Sequence, residues 1–167
     1  CIGIDDLAAV LAKHVQALKV GDALAPGTQM GPLASQAQLD TTLSYLDIAV
    51  KEGGVRRTGG ERLSLATPGY YVSPALIVDT QRDMRINCEE VFGPVASVVR
   101  VHDYEEALSV ANAGEFGLSA GIMTSSLKHA RHFARNVRAG MVMTNLPTAG
   151  VDYHAPFGGS RKSSYGA

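Results

Sequence analysis

Cysteine is scarce in this sequence, and neither sign of charge is in excess. The 167 residues include 2 Cys, Cys1 and Cys88, which are too few and too far apart to suggest a disulfide framework. Neither has the CxxC or Cys/His spacing of a metal site. The 15 Lys and Arg are scattered and balance 16 Asp and Glu. We therefore expect a reducing compartment, no metal site and no nucleic-acid partner.

Long apolar runs are absent as well. No run approaches the roughly 18 residues of a membrane span, and no charged-then-apolar leader opens the chain, which predicts a soluble, cytoplasmic protein without a membrane partner. With 46% hydrophobic and 19% charged residues, the composition indicates one globular domain over residues 1–167. The chain opens with Cys, partway into a helical pattern, so we expect it to be a piece of something longer.

Four stretches carry apolar residues at spacings of three and four, which predicts four helices. These apolar stripes span residues 7–18, 39–50, 107–111 and 127–137. Capping residues mark where the last three helices begin, since a side-chain oxygen there satisfies a free backbone N–H. The caps are Ser35 with Gln38, Asp103 with Glu106, and Ser125 or Ser126.

Extended segments alternate with these helices. Residues 55–58, 70–79, 117–124 and 141–145 are predicted strands, and Pro74 marks an edge or a bulge in the second. The β-branched run over residues 95–101 predicts a buried strand. From residue 95 the order is strand, helix, strand, helix, strand. That order is typical of an α/β fold with a parallel-type sheet covered by helices.

Two segments are candidates for binding. Ligands of such sheets bind beyond the carboxyl ends of the strands, where the loop NLPTAGVDYHAPFGGSRKSSYG follows the last predicted strand. In this loop, Asn145 is predicted to hold the backbone through side-chain hydrogen bonds. The second segment contains Glu89 and Glu90 just before the apolar strand, where burying an unpaired charge would be costly. Their position needs an explanation.

Four segments, in this order and spacing, resemble the C-terminal part of the catalytic domain of the aldehyde dehydrogenase superfamily. They are EEVFGPV, NAGEFGLSAGIMTSSLKHA, AGMVMTNLP and PFGGSRKSSYG, and GDALAPGTQMGPLAS resembles the loop that precedes them in the family. The resemblance covers nearly the whole chain and implies a partial aldehyde dehydrogenase catalytic domain. The variant PTAGVDYHAPFGG is similar to members acting on 2-oxoglutarate semialdehyde (2,5-dioxopentanoate).

The resemblance implies binding roles for four residues. In the family, the second Glu of the motif hydrogen-bonds the ribose hydroxyls next to nicotinamide and the Phe packs against the nicotinamide. This implies Glu90 and Phe92 as cofactor-binding residues for NAD or NADP, and Thr148 and Phe157 as substrate-binding residues at the aldehyde tunnel. Residue types alone leave open surface carboxylates at Glu89 and Glu90, and an ordinary core position for Phe92.

The catalytic machinery of the family is not visible in this sequence. Aldehyde oxidation there needs a nucleophilic Cys, a Glu that activates the deacylating water, and a dinucleotide-binding domain. Neither a Gly-Gln-x-Cys stretch nor a G-x-G-x-x-G loop occurs, and Arg161 stands where the family usually has Lys. We therefore expect part of an NAD(P)-dependent enzyme that oxidises a small-molecule aldehyde to the carboxylate. This part would have no catalytic residue of its own and would be inactive alone, and we expect a homo-oligomer.

Two alternatives stay open. The chain could be a free-standing, non-catalytic self-association domain on the same scaffold. It could instead be a small hydrolase that uses Cys88 and His154, which requires the thiol and the imidazole to lie within hydrogen-bond reach of each other.

Overall fold

The computed structural model describes residues 4–150 and 153–164. The chain divides into two compact units, Cys1–Arg100 and Val101–Ala167. The expectation of a single domain over residues 1–167 stays a prediction. None of the helices formed by the described residues combines the length and the apolar character that crossing a bilayer requires. The same residues contain no group of three or more His, Cys, Asp or Glu that could hold a metal ion.

The first unit is a helix-packed sheet. Its elements are α1 (Ile4–Ala17), α2 (Gln36–Lys51), β1 (Val55–Thr58), β2 (Arg62–Leu63), β3 (Tyr71–Val72), β4 (Ala75–Thr80), α3 (Arg85–Cys88) and β5 (Val95–Val99). Strand β4 lies between β1 and β5; it runs parallel to β5 and antiparallel to β1. β2 and β3 form a separate antiparallel pair. The predicted α/β class is confirmed, and this sheet is mixed.

The core of the first unit lies between β4 and α2. The β4 side chains Ala75, Leu76 and Ile77 are at most 1% exposed because β4 is the central strand of the sheet. Leu46 and Ala49 of α2 form one buried cluster with Ala75 and Ile77. Burying such side chains is the main favourable term in folding, so this contact fixes α2 on the sheet.

The predicted burial of the strand that begins at residue 95 was wrong. The strand forms as β5, but Ala96 and Ser97 are exposed and the three valines of β5 are only half-buried. The physical reason is position, because β5 is the outer strand of the three-stranded order and β4 takes the centre. The β-branched run therefore predicted the extended backbone correctly, but it predicted more burial of the side chains than the structure shows.

The second unit also contains a parallel strand pair. Its elements are α4 (Tyr104–Ala111), β6 (Phe116–Gly117), β7 (Ser119–Ile122), α5 (Leu127–Asn136), β8 (Met141–Thr144) and β9 (Ser160–Arg161). β7 pairs with β8 in parallel, as the alternation predicted, while β6 pairs with β9 in antiparallel fashion. The predicted strand over residues 117–124 corresponds to the end of β6 and to β7. β9 was not predicted, because two residues carry no periodicity.

The helix starts follow the predicted caps. The Ser35 hydroxyl accepts a hydrogen bond from the Gln38 N–H at 3.1 Å, and the Asp103 carboxylate accepts one from the Glu106 N–H at 2.8 Å. Ser126, rather than Ser125, caps α5. These bonds satisfy backbone donors that the first helical turn leaves free.

Candidate functional site

The segment of residues 89–94, EEVFGP, connects α3 to β5, and its first carboxylate is anchored. Arg85 donates from Nε to Glu89 Oε1 at 2.8 Å and from Nη2 to Glu89 Oε2 at 2.9 Å. The Tyr45 hydroxyl also donates to Oε2 of the same carboxylate. Together, the hydrogen bonds from Arg85 and then Tyr45 lower the pKa of Glu89 from 4.5 to about 2. Glu89 is therefore a charged anchor between α2 and α3.

Tyr45 and Arg85 also contact each other. The Arg85 guanidinium lies over the Tyr45 ring, 5.3 Å from its centroid, a distance suited to a cation–π contact. The hydrogen bond to Glu89 raises the pKa of Tyr45 above its ordinary value, because an ionised phenol beside a carboxylate would lose that bond. The three side chains thus form one charged cluster, which neither capping nor periodicity predicted.

Glu90 differs from its neighbour in its hydrogen bonds. Its side chain is exposed, and no group among residues 4–150 and 153–164 donates a hydrogen bond to its carboxylate. An ionised carboxylate accepts hydrogen bonds only, and each oxygen has two sites for them. Of the two adjacent carboxylates, Glu90 is the one whose accepting capacity is available to a ligand.

Phe92 is exposed and has an unusual backbone. Its side chain is 75% exposed, and its φ of 52° lies in the left-handed region. Bulky residues rarely adopt that region, and such residues cluster at ligand-binding positions. The alternative that Phe92 is an ordinary core residue is therefore wrong for this chain.

Helix α2 contacts the segment that carries Phe92. The Gln38 side-chain amide donates from Nε2 to the carbonyl of Val91 at 2.7 Å and to that of Phe92 at 2.9 Å. At the next residue, a Cβ placed on Gly93 would lie 2.7 Å from Thr42 Cγ2, so the backbone passes this helix too closely for any side chain. The path of residues 91–93 is thus set by the surface of α2.

A groove of about 410 Å³ begins at Phe92. It is lined by Met30, Gly31, Pro32, Leu33, Val72, Phe92, Gly93 and Pro94. Mostly apolar walls with few charged groups are typical of sites that hold ring systems. Phe92 thus contributes to the wall of an apolar groove.

The two residues predicted on the substrate side lie in the second unit, and both are exposed. Thr148 follows β8 and approaches Gly121 of β7, where an added Cβ would lie 3.0 Å from Thr148 Cγ2. The Phe157 side chain is 68% exposed. Their role in binding an aldehyde stays a prediction.

An apolar groove of about 620 Å³ lies in the same part of the second unit. It is lined by Gly140, Met141, Val142, Met143, Leu146, Pro147, Ala149, Gly150, Ala155 and Pro156. These lining residues flank the predicted pair in sequence. No sequence pattern indicates a binding role for the methionines of β8, because they have the residue types of an ordinary strand.

The prediction for Asn145 is confirmed. Its side chain accepts a hydrogen bond from the Thr124 N–H at 2.8 Å and donates one to the Thr124 carbonyl at 2.9 Å. Arg161 has a similar role, since its guanidinium donates to the carbonyls of Asn112, at 2.8 Å, and Gly114. Both residues have positive φ. Each end of the loop between β8 and β9 is therefore tied by a side chain.

Cys88 and His154, the pair of the hydrolase hypothesis, belong to different units. The Cys88 thiol is exposed and donates to the Arg82 carbonyl at 3.3 Å in the first unit, whereas the His154 ring packs on Tyr153 in the second, with centroids 3.8 Å apart. Cys1 lies outside the described residues. The hydrolase hypothesis receives no support from these contacts.

Comparison with known proteins gives the same family from sequence and from structure. Residues 3–167 match the model of the aldehyde dehydrogenase family. The chain is 44% identical to an alpha-ketoglutarate semialdehyde dehydrogenase of Haloferax volcanii, over 96% of this chain and 33% of that protein. It is 41% identical to an alpha-ketoglutaric semialdehyde dehydrogenase of Bacillus subtilis, over 92% and 32%.

A solved structure gives the same result. A betaine aldehyde dehydrogenase from Staphylococcus aureus, in complex with NAD+, superimposes with a TM-score of 0.89 at 30% identity, over 95% of this chain and 32% of that one. The chain spans about a third of the length of the curated relatives it matches. Because the family model covers nearly every residue, this chain belongs to the aldehyde dehydrogenase family.

Proposed function

We propose that the chain is part of an NAD(P)-dependent aldehyde dehydrogenase, in which Glu90 and Phe92 hold the nicotinamide side of the cofactor. The observation that carries the proposal is the contrast within one segment. Glu89 is bound by Arg85 and Tyr45, while Glu90 is exposed and free to accept hydrogen bonds. The exposed ring of Phe92 lies two residues further on.

Glu90 and Phe92 contact different parts of the cofactor. The Glu90 carboxylate accepts hydrogen bonds from two neighbouring ribose hydroxyls, and no described residue competes for its accepting sites. The Phe92 ring packs against the nicotinamide side and limits water there. When bound, NAD or NADP supplies the hydride acceptor for aldehyde oxidation. Residues 90 and 92 therefore bind and orient, and we assign them no proton transfer.

We propose a semialdehyde of a dicarboxylic acid as the substrate, with Thr148 and Phe157 on the aldehyde side. This rests on the loop PTAGVDYHAPFGG and on the names of the Haloferax and Bacillus relatives. The proposal extends to a cytoplasmic, homo-oligomeric enzyme and to an isolated 167-residue chain that is inactive.

The test uses the complete enzyme and compares Glu90→Gln and Phe92→Ala with the control Glu105→Gln, which changes another exposed carboxylate. A lost hydrogen bond to a charged group is worth about 1.5 to 3 kcal/mol, and a misplaced reactive group can lower the rate by about a hundredfold. We expect Glu90→Gln to lower turnover and weaken NAD binding with an unchanged melting temperature. Phe92→Ala should weaken NAD binding, and the control should change neither property.

The opposite pattern would reject the cofactor role. If Glu90→Gln chiefly lowers the melting temperature while turnover per folded molecule stays constant, Glu90 is a structural residue. Equal behaviour of Glu89→Gln and Glu90→Gln would show that the motif has been aligned to the wrong positions.

A further inference from the structure

We infer that Gln38 is a positioning residue for the cofactor: it holds the backbone of residues 91 and 92 so that Phe92 presents its ring. This inference rests on the proposed function of Phe92. Gln38 belongs to the first turn of α2, more than 50 positions earlier in the sequence, and its side chain is half-buried.

The geometry of the contact supports a holding role. One amide nitrogen, Gln38 Nε2, donates to two consecutive carbonyls, at 2.7 Å for Val91 and 2.9 Å for Phe92. An amide NH₂ has two hydrogens, so both donors are used. Two bonds from one rigid group to neighbouring carbonyls restrict the orientation of both peptide planes, and thus the dihedral angles of Phe92 between them.

The Gln38 side chain is not needed to cap its own helix. Ser35 already accepts from the Gln38 backbone N–H at 3.1 Å. In a full capping box, the Gln side chain would return to the N–H of the capping residue. Here both of its amide hydrogens point to the carbonyls of the other segment instead. The side chain is therefore committed to residues 91 and 92.

A second contact from the same helix acts next to the first. Thr42 lies one turn after Gln38 and is fully buried, and its hydroxyl donates to the Gln38 carbonyl at 2.8 Å. Gly93 passes against Thr42 with no room for a Cβ. The chain is thus held by α2 both at and directly after Phe92.

The backbone of Phe92 explains why such a hold is needed. At a φ of 52° the residue is in a conformation that a bulky side chain rarely adopts without surrounding support. If the Gln38 bonds are lost, we expect Phe92 to return to negative φ, which redirects its ring. NAD binding then weakens, although no group that touches the cofactor has been changed.

The test compares Gln38→Met with Gln36→Met in the complete enzyme. Both changes replace a half-buried amide on the first turn of α2 with a side chain of similar length, and Gln36 donates to Asp40 on its own helix at 2.7 Å. The measurements are hydrogen exchange of the amides of residues 89–93 without cofactor, KM for NAD, KM for the aldehyde, and melting temperature.

We expect Gln38→Met alone to speed exchange in residues 89–93 and to raise KM for NAD. The rise should be about tenfold, the ratio that corresponds to about 1.4 kcal/mol. KM for the aldehyde should stay constant, which a general loss of stability would not produce.

Gln38→Glu is a second variant, and it should show a pH-dependent KM for NAD. As a carboxylate it has no proton to donate, but when protonated it can donate to one carbonyl. Relative to Gln38→Met, its KM for NAD should therefore fall towards normal as the pH is lowered to about 5, near the ordinary pKa of Glu. If Gln38→Met does not fold, Gln38→Glu undergoes the same measurements.

The outcomes separate the inference from the proposed function. Unchanged exchange in residues 89–93 would overturn the inference. Faster exchange with an unchanged KM for NAD would overturn it too, provided that Phe92→Ala raises that KM. If Phe92→Ala itself leaves KM for NAD unchanged, the proposed function fails, and the inference fails with it.

Discussion

Arg85 and Glu89 are joined by two parallel hydrogen bonds, from Nε at 2.8 Å and from Nη2 at 2.9 Å, at the end of α3. This pairing distinguishes Glu89 from Glu90, the identical residue that follows it. Glu89 accepts hydrogen bonds from Arg85 and Tyr45, whereas no described residue donates one to Glu90. The position of two carboxylates before an apolar strand therefore has a simple explanation, since both side chains are exposed and Glu89 is also paired with Arg85.

The first prediction concerns the pH dependence of stability at Glu89. Its pKa is lowered from 4.5 to about 2 by Arg85 and then by Tyr45. A lowered pKa in the folded state means that the stabilisation is fully present above about pH 4.5 and is lost as the pH falls towards 2. Glu89→Gln should therefore lower the melting temperature at pH 7, and the difference from wild type should shrink over that range. Melting curves at several pH values check this, and a constant difference would contradict it.

The second prediction concerns Gly93. In Gly93→Ala, the new methyl group would lie 2.7 Å from Thr42 Cγ2, closer than two carbons can approach. We expect a loss of about 1–3 kcal/mol in the free energy of unfolding, typical of overpacking. Gly114→Ala is the control, because its nearest atom, the Phe116 nitrogen, would be 3.9 Å away. Urea unfolding measures both, and Thr42→Ala should reduce the penalty at Gly93 because it removes the clashing atoms.

The third prediction concerns Asn145, which has a φ of 56° and two bonds to Thr124. Asn145→Ala loses both bonds and keeps the unfavourable φ, so we expect about 1–3 kcal/mol of destabilisation. Asn145→Gly loses the same bonds but tolerates the φ, and it should cost less than the alanine variant. If the two variants lose the same free energy of unfolding in urea, the positive φ of residue 145 does not contribute to the loss in the alanine variant.

The fourth prediction concerns the activity of the 167-residue chain. Because the 167 residues contain neither a Gly-Gln-x-Cys stretch nor a G-x-G-x-x-G loop, we expect these residues alone to show no NAD- or NADP-dependent oxidation of any short aldehyde. Production of NADH, followed by absorbance, checks this. Turnover that persists after contaminating full-length enzyme has been removed would contradict the prediction.

The fifth prediction concerns self-association of the same chain. Several large apolar side chains are exposed, including Leu24 at 94%, Met123 at 78% and Phe92 at 75%. Exposed apolar groups favour association when they are contiguous. We expect sedimentation velocity to show species larger than a monomer as concentration rises. A monomer at every concentration would argue against it, and against the self-association domain as an alternative function.

Local features of the fold could be predicted from the sequence. Ser35, Asp103 and the apolar spacing of α2 determine where helices begin, because capping and periodicity act over three or four residues. The burial of β5 could not be predicted in this way. It depends on the place of the strand in the sheet, and residue type indicates only an apolar face.

Some residues of the candidate site could likewise be predicted from the sequence, and others could not. The resemblance identified Glu90 and Phe92 as candidates, and an Arg and a Glu four apart, such as Arg85 and Glu89, are a pair that spacing alone can suggest. Gln38 could not be found from spacing. At that position a glutamine reads as half of a capping box, and its true partners are 53 and 54 residues away.

The loop between β8 and β9 is closed at both ends by backbone pairing, β8 with β7 and β9 with β6. Asn145, the first residue of the loop, bonds to Thr124, and the hydroxyl of Ser160, the first residue of β9, donates to the Arg138 carbonyl at 2.8 Å. The partners of both attachments, Thr124 and Arg138, lie outside the loop. We therefore expect a change of side chain between the attachments to leave both hydrogen-bonded pairs present. Gly159 is an exception, because a Cβ there would lie 2.6 Å from the Ser163 carbonyl oxygen.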